Sequence, residues 1–224
     1  MEKYQNINIL YEDNHILVVH KPANVPVCSD ASNDIDLLTK LKEYIKTKYN
    51  KPGNVYLGLV HRLDRPVEGI MVFAKTSKAA SRLSNQIQNN QFKKTYYAIV
   101  ENNPKKEETF INYLSKDEKT NTSYVTTDNK GKKSILEFKI INKKNNLTLV
   151  KINLLTGRHH QIRVQFSHHN YPLYGDHKYN KNFINDNKTN IALIAKELSF
   201  YHPTTKELLK FNIDLPKKYP YTLF

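Results

Sequence analysis

Three short stretches of this chain hold the residues best suited to chemistry. The first, His61-Arg62-Leu63-Asp64-Arg65-Pro66-Val67-Glu68-Gly69, sets a carboxylate between two arginines. It joins two apolar segments, Tyr56 to Val60 and Ile70 to Ala74, that read as strands, so a rigid scaffold presents the acid on a loop. The arginines keep Asp64 ionised and suit a phosphate-bearing substrate, although a surface ion-pair turn would use the same residues. The second is Thr156-Gly157-Arg158-His159-His160-Gln161-Ile162-Arg163. A helix opening there puts His159 and Arg163 on one face, with Ile162 and Phe166 on another. Its N-terminus is a place for a phosphate, with Arg158 and His160 assisting. The third, Lys94-Thr95-Tyr96-Tyr97-Ala98-Ile99-Val100, reads as a strand with Tyr96, Ala98 and Val100 opposite Tyr97 and Ile99. One tyrosine can then reach a site while its neighbour packs in the core.

Glycine marks these loops. The chain has six, and Gly58, Gly69, Gly157 and Gly175 flank charge-rich segments, where special backbone conformations or close approach are expected. Metal chemistry is not indicated. His159, His160, His168 and His169 include no pair four apart on a helix, and no H-E-x-x-H pattern occurs. The single cysteine, Cys28, cannot form an internal disulfide and reads as an ordinary thiol.

The elements that must position these loops follow from hydrophobic periodicity. Ile7 to Tyr11 and Ile16 to Val19 read as a hairpin turning at Glu12-Asp13-Asn14. Asp34 or Asp36 caps a helix carrying Leu37, Leu38, Leu41, Tyr44, Ile45 and Tyr49. Thr76 or Ser77 opens a second helix with Ala79, Ala80, Leu83 and Ile87 on one face. Strands are expected at Lys93 to Val100, Thr109 to Leu114, Ser123 to Thr127, Ile135 to Ile141 and Leu147 to Leu155. A short helix near His159 or His160 ends before Pro172, and strands near Ile191 to Phe200 and Leu208 to Ile213 complete the chain. Strand-rich and without βαβ alternation, the pattern predicts an α+β fold with a largely antiparallel sheet.

Composition narrows the partners. Lys and Arg number 35 against 21 Asp and Glu, a formal charge of +14 that favours a polyanion through counterion release. A merely basic, solvated surface is the alternative, and Asn142-Lys143-Lys144-Asn145-Asn146 looks like such a turn. No apolar run approaches the roughly 20 residues of a membrane span. The start lacks the order of a signal peptide, so a cytoplasmic protein of one domain over residues 1–224 is expected.

With these strings in place, the chain closely resembles the RluA-type family of RNA pseudouridine synthases. That family carries H-R-L-D-R-x-T-S-G, matched by His61 to Gly69, and K-x-Y-x-A, matched by Lys94, Tyr96 and Ala98. Its T-G-R-x-H-Q-I-R-V string is matched by Thr156 to Val164, and its P-I-x-G-D segment by Pro172-Leu173-Tyr174-Gly175-Asp176. Asp13, Lys21-Pro22 and His202-Pro203 also fall where similar chains carry such residues. Departures are Val67-Glu68 for Thr-Ser, Asn24 for Gly, and Gln165 and Asn170 for His and Gly.

The resemblance implies a pseudouridine synthase-like fold with flanking helices and a central cleft. It also implies a reaction that isomerises uridine in ribosomal or transfer RNA without cofactor or metal; a monomer is expected by default. The N-terminal RNA-binding domain of some members is expected to be missing. Asp64 would be the catalytic carboxylate, either attacking the sugar or abstracting a ribose proton. Arg163 would pair with it, and Tyr96 would stack on the target base. Arg62 would fill the space the base vacates, and His61, Arg65, Arg158, His160, Gln161 and Ile162 would contact substrate.

Two rivals remain at this level. A non-catalytic RNA-binding protein shares the charge and the tyrosines, but does not need the Asp64, Tyr96 and Arg163 set. An RNA hydrolase needs a second placed acid or clustered acidic ligands, and Glu68 is the only other acid close to Asp64 in sequence.

Overall fold

Asp13 makes the first turn. Its Oδ1 accepts the N–H groups of His15 (2.7 Å) and Ile16 (2.8 Å), which joins β1 (Asn8–Glu12) to β2 (Ile16–Lys21) as an antiparallel hairpin. In this computed structural model, residues 7–30, 32, 34–127, 130–186 and 188–224 are described. The chain divides into two compact units, Met1–Lys93 with Glu197–Ile213, and Lys94–Lys196 with Asp214–Phe224. The fold is α+β, built largely from antiparallel strand pairings.

In the first unit β2 pairs with β4 (Glu68–Ala74), and the short β3 (Gly58–Leu59) pairs with the far end of β4. Ile16, Leu17, Val18 and Val19 are all fully buried, as a continuous apolar run on a two-sided central strand requires. Ile16, Val18, Ile70, Val72 and Ala74 face a cluster containing Ala79 and Leu83 of α2 (Ser77–Gln88), with Phe92, Leu198 and Phe200. Leu198 and Phe200 come from β10 (Leu193–Tyr201), whose residues from Glu197 pair with β11 (Leu208–Asn212). The strand expected over Tyr56 to Val60 is only two residues long. Tyr56 folds back instead, and its hydroxyl lies 2.8 Å from where a Cβ on Gly58 would stand.

In the second unit the sheet order is β5 (Lys93–Glu101), β9 (Leu147–Leu154), β8 (Lys132–Lys144), β6 (Glu108–Asp117), β7 (Thr122–Thr126). α3 (Gln161–His168) buries Phe166 against Phe110 of β6 and Phe138 of β8, with ring centroids 5.1–5.2 Å apart. Each such ring contributes roughly 1.5–3 kcal/mol by leaving water.

The helix caps are resolved in favour of Asp36 for α1 (Leu37–Lys48) and Thr76 for α2, whose side chains accept from Thr39 N and Ala79 N. Each is worth about 1 kcal/mol. All three helices end on a left-handed asparagine: Asn50, Asn90 and Asn170, at φ 46°, 57° and 65°. The paired bonds Asn170 N to Ser167 O and Tyr171 N to Phe166 O are those of a Schellman end, and α1 and α2 repeat them. Asn24, at φ 64°, takes another left-handed position. Asparagine tolerates this region through its short polar side chain, which explains why this glycine-poor chain carries Asn24 and Asn170 where similar chains have Gly.

Candidate functional site

The loop of residues 61–69 is held from both ends. β3 stops after Leu59, and the His61 ring continues its work, with Nε2 accepting the Val72 N–H at 3.1 Å. The ring also meets Phe92 edge-on at 5.1 Å. His61 was expected to contact substrate, and its imidazole also serves the strand. Val67 N bonds to Asp64 O at 3.0 Å, closing a turn over Arg65-Pro66, and Val67 is 2% exposed. A buried valine in place of threonine therefore plugs the loop. Gly69, at φ 141°, occupies backbone space closed to side chains.

Lys21 ties this turn to the end of β2. It is fully buried, and its ammonium donates to Pro22 O (2.9 Å), Val25 O (2.8 Å) and Arg65 O (3.0 Å). Burial pushes its pKa down to about 7, while the charges of Asp64 and Glu68 oppose that shift. The sequence marked the Lys-Pro pair without showing that it grips the acidic loop. Lys21→Met leaves three carbonyls without their donor, and should cost about 2–4 kcal/mol, read as a lower urea midpoint. A loss below about 1 kcal/mol would mean that water replaces the ammonium.

The arginines of this loop differ. Arg65 pairs with Asp30 and Asp34 on the surface, so for this residue the ion-pair turn is what forms, and its charge is engaged within the protein. Arg62 is exposed and makes no hydrogen bond or ion pair among the described residues. Asp64 is half-buried.

In the second unit the two adjacent tyrosines separate as alternation requires. Tyr96 is 6% exposed on the inward face with Ala98 and Val100. Tyr97 is half-buried between the ammonium groups of Lys151 (5.7 Å) and Lys196 (5.4 Å). Burial also lowers the pKa of Lys94, whose Nζ is 3.2 Å from where a Cβ on Gly157 would lie. Gly157 thus makes room for a cation beside the loop of residues 156–163.

That loop is knotted by Gln161. Its Oε1 accepts from Thr156 Oγ1 (2.8 Å) and Arg158 N (3.0 Å), and its Nε2 donates to Ile135 O (3.1 Å) and Gln165 Oε1 (3.0 Å). Gln161 and Ile162 are 3% and 5% exposed. Both were expected to contact substrate; one holds the loop and the other fills the core. Arg158 is exposed, with Nε on Lys133 O at 3.2 Å. The helix starts at Gln161, so His159 does not share a helical face with Arg163, and its Nδ1 lies 2.9 Å from Ser123 Oγ.

His160 occupies the left-handed N-cap position at φ 52° and is buried, with Nδ1 2.8 Å from Tyr179 Oη. Burial, then the charge of Arg163, holds its pKa down to about 2, so it is neutral and cannot serve phosphate as a cation. In the unfolded chain this group titrates near 6.5. Below that pH the unfolded state binds a proton that the native state refuses. Stability should therefore fall by up to about 1.4 kcal/mol per pH unit as acid is added. His160→Asn, which keeps the left-handed backbone, should flatten the slope between roughly pH 6 and 4 in urea titrations. An unchanged slope would mean that other groups carry it.

Arg163 is 4% exposed. Its Nε and Nη2 donate to Asp176 Oδ2 (2.9 Å) and Oδ1 (2.6 Å), and its guanidinium carbon lies 5.2 Å from the Tyr179 ring centre. Asp176 and Tyr179 were missed as site residues. The signal for Asp176 was Gly175 before it, at φ 73°, where a Cβ would lie 2.3 Å from Asn190 O. Within its own unit, then, the loop of residues 61–69 brings Arg62, Asp64 and Arg65 together. The second unit carries Tyr96, Arg163, Asp176 and Tyr179.

Residues 15–168 match the family model described as RNA pseudouridylate synthase. Ribosomal large subunit pseudouridine synthase C of Buchnera aphidicola subsp. Baizongia pistaciae is 36% identical over 212 residues, covering 90% of this chain and 65% of that protein. An uncharacterized RNA pseudouridine synthase of Aquifex aeolicus is 33% identical over 223 residues, with 95% of this chain and 71% of the relative covered. The chain thus spans about two thirds of the length of these curated relatives. The solved structure of human RNA pseudouridylate synthase domain containing 4 superposes with a TM-score of 0.76 at 21% identity, covering 94% of this chain and 89% of that one.

Proposed function

The chain belongs to the RNA pseudouridylate synthase family, a class of isomerases, and we propose that it converts specific uridines of ribosomal or transfer RNA to pseudouridine. The observation that carries this reading is the match over residues 15–168, which includes the Asp64 loop, Tyr96 and Arg163. In the proposed reaction the uridine's glycosidic bond breaks, the base turns, and it rejoins the ribose through carbon. Atoms balance within one nucleotide, so neither cofactor nor metal is required.

Asp64 acts at the sugar, Arg163 orients it, and Tyr96 stacks on the base and assists a late proton transfer. Taking the base out of its stack costs a few kcal/mol, and one aromatic stack returns about 1–3 kcal/mol, so Tyr96 offsets much of that cost. Arg62, exposed on the same loop as Asp64, enters the vacated space. Lysines and Arg158 supply phosphate contacts. The protein works as a monomer in the cytoplasm, with residues 1–224 as one catalytic domain.

The test is to incubate total RNA from cells lacking the gene with the purified protein and to map pseudouridine across ribosomal and transfer RNA. New sites establish the activity and name the substrate. Tight RNA binding with no new site, on purified RNA and on assembling ribosomal particles alike, would overturn it in favour of a binding protein.

A further inference from the structure

We propose that Asp176 and Tyr179 are positioning residues that set the plane and the orientation of Arg163 for the reaction; this rests on the function proposed above. A guanidinium offers five N–H donors in a fixed fork, and its usefulness depends on which edge is presented. Here the side-on edge, Nε and Nη2, is taken by both carboxylate oxygens of Asp176, which is fully buried. The ring of Tyr179 lies against the guanidinium and fixes its plane.

Asp176 is itself braced. Its Oδ1 also accepts the N–H groups of Lys178 (3.0 Å) and Tyr179 (3.2 Å), so the carboxylate cannot turn without breaking the local backbone. Tyr179 joins two further elements at three points. Its hydroxyl takes the Ser123 N–H of β7 at 2.7 Å and meets His160 Nδ1 at the start of α3, while its carbonyl accepts Ser167 Oγ at 2.7 Å. A loop of five residues, 176–180, therefore clamps Arg163 and both ends of the helix that carries it. A charged, two-point grip on one nitrogen edge fixes the guanidinium's orientation as well as its place, as an arginine that must hold a reacting carboxylate to within a fraction of an ångström requires.

The experiment measures kcat and KM for pseudouridine formation in Asp176→Asn and Tyr179→Phe, each confirmed folded by its urea transition. Asparagine keeps an oxygen for the two backbone donors but loses the charge and one Arg163 acceptor. Phenylalanine keeps the ring and loses the hydroxyl bonds. The expected result is a fall in kcat of roughly 10²-fold for Asp176→Asn and several-fold for Tyr179→Phe, with KM nearly unchanged. If Asp176→Asn does not fold, Tyr179→Phe decides. A kcat equal to wild type in the folded variants, or a loss confined to KM, overturns the proposal alone. Wild-type protein that makes no pseudouridine overturns both it and the reading on which it rests.

Discussion

Asp64→Asn should abolish pseudouridine formation, lowering turnover by roughly 10⁴-fold or more while leaving the fold and RNA binding in place. The substitution is nearly isosteric, and the loop that carries Asp64 has other supports for its shape. That shape comes from the Val67 N to Asp64 O turn, from the buried Val67 and from the ammonium of Lys21 on Arg65 O. An amide can neither attack the sugar nor take a proton, so both readings of the carboxylate's role predict the same loss. Affinity for RNA should persist because phosphate contacts by arginine and lysine supply it, and it should weaken steeply as salt rises. The measurement is single-turnover formation of pseudouridine on a mapped substrate, beside filter binding at several salt concentrations. Turnover within tenfold of wild type would remove Asp64 from the mechanism.

Arg163→Met should lower stability by about 3–5 kcal/mol, the range for breaking one side of a buried ion pair. The buried carboxylate that loses its bidentate partner is Asp176, 0% exposed. Two backbone N–H groups would still face it, and they do not replace a guanidinium. Adding Asp176→Leu to Arg163→Met removes the stranded charge, and the double variant should regain part of the loss despite carrying two changes. Urea unfolding of the three proteins measures this. A single-variant loss under about 1 kcal/mol would show that water reaches the carboxylate and that the pair is not dry.

What the sequence determined by itself is whatever repeats along the chain. Alternation and helical spacing located the strands and helices to within a few residues. Apolar residues at period two and at period 3.6 have few ways to hide from water. Asp36 and Thr76 were among the proposed caps because a short oxygen-bearing side chain before an apolar stripe has one favourable use there. The loops of residues 61–69 and 156–163 stood out by their charge and their scarce glycines.

Roles inside those loops needed the tertiary structure. His61, Gln161 and His160 are polar residues that look like ligands for a substrate, and they meet Val72 N, Ile135 O and Tyr179 Oη instead. Their partners lie 11, 26 and 19 residues away, beyond any local pattern. Lys21 is the sharpest case. In sequence it is one basic residue in a chain of charge +14, and folding makes it a fully buried cation whose hydrogen bond to Arg65 O spans 44 residues. Sequence records which groups can donate or accept. Which of them is denied water, and must therefore find a protein partner, is decided only when the chain closes around it.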